Sequence, residues 1–194
     1  MPVLSFLIFA FVTSFTPGPN NLMAMIFADK FGLRKTVRFC AGVGTGFYTI
    51  ILLSCYFNLM LKTIIPKIEG FMTSVGVGYM LFLAYKIITS RNQGGKGEVA
   101  KYNSFLAGTL LQYVNPKGIL YGITVTSTFI IPFFQSGMSY LLFSLLLALV
   151  GFTSTFSWCV LGSMFQKFLS KYRTSFNIVM AMLLVYSAVS IVLE

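Results

Sequence analysis

Long stretches of this 194-residue chain carry no charged side chain: residues 1–28, 39–61, 70–85, 102–116, 118–166 and 174–193. A hydrocarbon core of about 30 Å takes about 20 residues of helix to cross, and most of these runs are long enough. Only 9% of the residues are charged, against about a quarter in an ordinary soluble domain, so the chain reads as a membrane protein. The longest run exceeds one span. Pro132 and the following Gln135-Ser136-Gly137 divide it, because proline disfavours helix in the residue before it and glycine loosens the backbone. Six spans result, at about 3–28, 38–61, 69–88, 104–131, 138–166 and 174–193, and the expected fold class is an all-α membrane protein.

The net charge of +10 falls between these spans. Lys30, Arg34, Lys35 and Arg38 follow the first; Lys86, Arg91, Lys96 and Lys101 follow the third; Lys167, Lys171 and Arg173 follow the fifth. The second connection holds only Lys62 and Lys67, and the fourth none. Cytoplasmic loops retain Lys and Arg, so the odd connections are expected inside and both termini outside. Charge placed this way belongs to loops at a lipid bilayer, and no nucleic-acid partner is expected. The first run has no base ahead of it and Thr16-Pro17-Gly18-Pro19 where a cleavage site would need small residues, so it is expected to remain a span.

The composition also removes chemistries. Histidine is absent, and the acids are Asp29, Glu69, Glu98 and Glu194 alone. Imidazole catalysis, histidine metal sites and paired carboxylates have nothing to be built from, so neither an enzyme, a metal nor a cofactor is expected. Cys40, Cys55 and Cys159 lie inside apolar stretches at no ligand-like spacing and read as small buried hydrophobes.

An offset of 99 positions carries Ser5-Phe6-Leu7 onto Ser104-Phe105-Leu106 and Pro17 onto Pro116. What it matches is the pair of proline-interrupted spans, each opening a set of three. Three is odd, so the second set must enter the membrane inverted. The chain is thus expected to be one transporter domain over residues 1–194, with repeat one at about 1–90, a Gly-rich linker at about 91–102 and repeat two at about 103–194. The first and fourth helices are expected to be broken at their proline motifs. Proline lacks an N–H and clashes with the carbonyl four residues back, so main-chain groups are freed at bilayer depth and must line a wet cavity or be buried in protein.

Secondary transporters place their sites where two such breaks meet. Candidate substrate-binding residues are Thr16, Pro17, Gly18, Pro19, Asn20 and Asn21 in the first break and Asn115, Pro116 and Lys117 in the second. A half-helix start near Pro19 suits a carboxylate, and freed carbonyls with the Asn20 and Asn21 amides suit an ammonium. Lys117, a base within a span, either serves substrate or proton coupling or snorkels to an interface. Asp29, beside Lys30, reads as an interfacial charge; as the acid nearest a break it joins Lys117 as a candidate for coupling. Gly42 and Gly46 lie on one helical face and read as a close helix contact rather than a phosphate loop. Tyr48, Tyr79 and Tyr121 are the aromatics considered for a path.

With these residues in hand, the chain resembles the lysine exporter (LysE) superfamily, in its RhtB-type amino-acid exporters, over essentially its full length. The resemblance rests on Thr16-Pro17-Gly18-Pro19-Asn20, on Gly32 and Arg34, on Gly42 and Gly46, on Gly78-Tyr79, and on Phe105 and Gly108 leading to Asn115-Pro116-Lys117. Residues 118–129 and 177–189 are most similar to the cysteine/O-acetylserine efflux subgroup. The chain departs from the family pattern with Lys35-Thr36 where a glycine is frequent, with Gly118 where alanine is frequent, and with Ser190 where a base is common. The resemblance implies export of small neutral amino acids, cysteine or O-acetylserine foremost, across the bacterial cytoplasmic membrane by proton antiport. It implies motif roles for Pro17, Gly18, Pro19, Asn20, Asn115, Pro116 and Lys117. The expected partners are the substrate, protons, lipid and, as candidate oligomer, a second copy in a homodimer. The rivals are an exporter of homoserine, threonine or leucine, a membrane-embedded enzyme, and a passive channel.

Overall fold

Prolines decide where the first span stops and restarts. The residue before a proline is driven out of the helical region. Thr16, before Pro17, has φ/ψ of −57/137, and Gly18, before Pro19, has −158/175. Helix α1 (Val3–Phe15) therefore ends at Thr16, and α2 (Pro19–Phe31) begins with proline at a position where no N–H is needed. The two are bent by 47°. Asn115, before Pro116, is likewise extended at −88/101 and separates α4 (Phe105–Tyr113) from α5 (Pro116–Val125). A π-helical turn, Thr126–Ile130, follows α5, and α6 (Gly137–Met164) comes after the Pro132 turn.

This computed structural model describes residues 1–89 and 101–164 and single positions between 175 and 189. The expected linker, but for its last residues, the basic connection before the sixth span and most of that span lie outside the described residues. The described elements are all helical. Leu33–Asn58 and Gly137–Met164 are long and apolar enough to cross a membrane, and α1 with α2 adds a third crossing if the bent pair is one span.

Between α2 and α3 (Leu33–Thr89) stands the single residue Gly32 at φ 84, a left-handed conformation that glycine alone takes without strain. α3 departs from expectation. Residues 62–68, read from Lys62 and Lys67 as a loop, are helical, and the backbone leaves helical geometry earlier, at Phe57 (φ −115, ψ 23). Lysine is a good helix former, and two of them mark polarity without breaking a helix. Just past the kink, the Asn58 amide donates to Thr126 Oγ1 at 3.2 Å, joining it to the π turn.

α3 packs chiefly on α6 and α4, and α2 on α6. The α3–α4 crossing has almost no room. A Cβ at Gly42 would strike the Phe105 carbonyl, and one at Gly108 the Phe39 carbonyl. Gly42 and Gly46 thus serve close helix approach. α2 is buried over nearly its whole length, whereas Leu4, Ile8 and Val12 of α1 face outward, as a lipid-contacting helix requires. Among the described residues, the two larger apolar clusters lie on these helices. Leu22, Ile26, Phe27, Phe39 and Val43 belong to the one around α2. Phe6, Phe47, Tyr121, Phe129 and Leu147 belong to the one around α1 and α5.

Candidate functional site

A helix that stops inside a membrane protein leaves its last carbonyls without partners in the helix. Those of α1 are taken up from three directions. Ser14 O accepts from Ser154 Oγ at 2.7 Å and from Asn21 Nδ2 at 3.0 Å. Phe15 O accepts from Trp158 Nε1 at 3.3 Å. Thr16 O accepts from Asn21 Nδ2 at 3.2 Å and, across the molecule, from Lys117 Nζ at 3.0 Å. Freed carbonyls were expected to await an ammonium; Thr16 O already holds one, the protein's own.

Lys117 comes from the first turn of α5 and lies over Gly18. A Cβ at Gly18 would sit 3.3 Å from both Lys117 Cδ and Nζ, so the bare glycine backbone makes room for the lysine tail. The two breaks are therefore neighbours. A second link joins them through Gln112, on the last turn of α4, whose Oε1 accepts from Asn20 Nδ2 and, at 3.5 Å, from Asn115 Nδ2.

Around these links is a cavity of about 60 Å³, room for a few waters or a small polar group. The first break contributes Gly18, Asn20 and Asn21, and the second Gln112, Asn115 and Lys117. Val43, Phe47 and Tyr121 wall it, so it lies between the two apolar clusters. Lys117 is the charged residue among those lining it. The first bond within α2 runs from Leu22 N to Gly18 O, which leaves the Asn20 and Asn21 amides at the positive end of a helix. Buried with no hydrogen-bond partner among the described residues are Asn20 Oδ1 and Asn115 Oδ1, both on lining residues, while the Ser14 and Tyr121 hydroxyls, which also line the cavity, face each other. The cavity thus offers positive charge to an anion and bare oxygens to a donor.

The structure separates the sequence candidates by position. Gly18, Asn20, Asn21, Asn115 and Lys117 line the cavity. Thr16 contributes its carbonyl. Pro17, Pro19 and Pro116 shape the breaks without lining the cavity. Asn21 is committed to protein: beyond Ser14 O and Thr16 O, its Nδ2 donates to Ser154 Oγ at 3.3 Å and its Oδ1 accepts from Thr155 Oγ1 at 3.1 Å. Asp29, read as interfacial, is 3% exposed and lies ten residues beyond Pro19, about 15 Å along α2. Tyr121 lines the cavity, Tyr48 does not, and the Tyr79 side chain lies outside the described residues. Sequence reading missed Gln112, Ser14 and Thr155. Gln112 had a signal, a lone amide in an apolar run one turn before Asn115; Ser14 and Thr155 look like any small residue in a span.

The family profile described as LysE type translocator matches residues 11–194. A cysteine/O-acetylserine efflux protein of Shigella flexneri is 38% identical over 192 residues, 98% of each chain. Its counterpart in Escherichia coli (strain K12) is 38% identical over 187 residues, 96% of this chain and 95% of that one. No solved structure matches the chain.

Proposed function

The chain belongs to the LysE type translocator family, and from that premise we propose that it exports small zwitterionic amino acids, cysteine and O-acetylserine foremost, across the bacterial cytoplasmic membrane. The relatives' printed names supply the substrates. The observation that carries the reading is the Lys117 Nζ to Thr16 O contact at 3.0 Å, which closes one broken span on the other beside the cavity.

A zwitterion suits the cavity beside that contact with both of its charges. Its carboxylate takes the Lys117 ammonium and the amides at the start of α2, where a helix N-terminus favours negative charge. Its ammonium goes to bare oxygens. A dibasic amino acid would bring a second positive charge, and among the described residues no acid lines the cavity to meet it. The reading further takes the chain as six spans in two inverted repeats, about 1–90 and 103–194, that rock about the site with both termini outside. Support comes from the matched breaks at Pro17 and Pro116 and from the basic odd connections. Proton antiport is part of the proposal, with Asp29 and Lys117 as coupling candidates.

The test is labelled-sulfur efflux from cells that overproduce cysteine. Efflux should rise with expression and collapse with a protonophore. No rise for cysteine or O-acetylserine, with raised threonine, homoserine or leucine efflux, would move the assignment to those substrates. Flux that only ever runs downhill, protonophore or not, would make the protein a channel.

A further inference from the structure

We infer that Gln112 is the residue that makes this site select an amine: by accepting from both Asn20 and Asn115 it turns their amide oxygens into a receptor for the substrate's ammonium group. Each asparagine presents one donor face and one acceptor face, and which points where is set by its neighbours. Gln112 Oε1 takes the Nδ2 group of Asn20, from the first break, and of Asn115, from the second. Asn20 Oδ1 and Asn115 Oδ1 are then left buried without a partner among the described residues, on the wall of the same cavity. A buried carbonyl oxygen calls for a donor. An ammonium has three donors and no acceptor, so it suits two such oxygens side by side.

Gln112 itself is 3% exposed and held in a slot between two glycines. A Cβ at Gly46 of α3 would come within 2.9 Å of Gln112 Cβ, and one at Gly118 of α5 would strike the Gln112 amide. Gly118 is thus the partner that leaves the amide its place. The arrangement takes one oxygen from each broken span, so ammonium binding ties the two together.

This inference rests on the proposed amino-acid export. It is tested with the purified full chain in proteoliposomes, by counterflow of labelled cysteine under reducing conditions with unlabelled cysteine or 3-mercaptopropionate, which lacks only the amine, as competitors. The wild type should prefer cysteine by about 100-fold or more, since a site built to bond a polar group rejects the analogue without it. Gln112→Met, close in length but without the acceptor, should cut that preference to less than about tenfold by raising the KM for cysteine while inhibition by 3-mercaptopropionate is unchanged. Gln112→Glu keeps an oxygen in place and should restore the preference. Gly118→Ala displaces the amide and should erode it, which keeps the idea testable if Gln112→Met does not fold. Gln112→Met with wild-type preference, or losing both compounds equally, would overturn the inference while leaving export intact. Wild-type vesicles without amino-acid counterflow would instead remove the export reading, and this one with it.

Discussion

Lys117 and Asn21 both reach the Thr16 carbonyl, and they do so for different ends. Lys117 carries a charge on a long stem and sits on the cavity wall. Lys117→Met should lower export at least about tenfold, the worth of a charge-assisted hydrogen bond, with membrane protein level unchanged by immunoblot. Gly18→Ala should act in the same direction more weakly, because its methyl 3.3 Å from Lys117 Nζ need move the lysine tail by only a few tenths of an ångström. Asn21 is a brace. Its amide bonds two α1 carbonyls and two α6 hydroxyls, so Asn21→Ala should cost about 1–3 kcal/mol of stability. A lower unfolding temperature in detergent checks this; unchanged melting with lost transport would instead make Asn21 a substrate ligand.

At the scale of elements, what could be read ahead depended on whether local chemistry forces the backbone. Both breaks were legible because the residue before a proline has few conformations, and Thr16, Gly18 and Asn115 obey that rule wherever the rest of the chain lies. Gly42 and Gly46 were legible as a packing face because bare backbone spaced by four is useful for little else. The kink at Phe57 was not, since nothing local demands it and the charges at Lys62 and Lys67 pointed elsewhere. Gln112 was hidden for another reason: its role exists only once Asn20 and Asn115 are brought beside it. Where α3 and α4 cross, Gly42→Leu would force the backbones apart, the larger side chain meeting the Phe105 carbonyl. Its expected outcome is loss of monodisperse protein on size-exclusion chromatography, whereas Gly78→Leu, where an added Cβ meets no atom of the described residues within 4 Å, should remain folded.

Over the whole molecule, the polar layer at the breaks separates two apolar clusters, one around α2 and one around α1 and α5. If the proposed export runs by alternating access, one cluster has to part while the other holds. The buried carboxyl of Asp29 lies on α2, the helix that begins at the cavity. If it carries the coupled proton, Asp29→Asn should abolish uphill export yet leave exchange of labelled for unlabelled substrate running. Uphill export that survives the substitution would return the coupling role to Lys117. The hold of Lys117 on Thr16 has a last consequence for economy of the ion gradient. A carrier with neither amino acid nor coupled proton aboard stays latched by its own tether, so under the proposed antiport it is expected not to swing empty, and each proton that enters answers for one exported molecule.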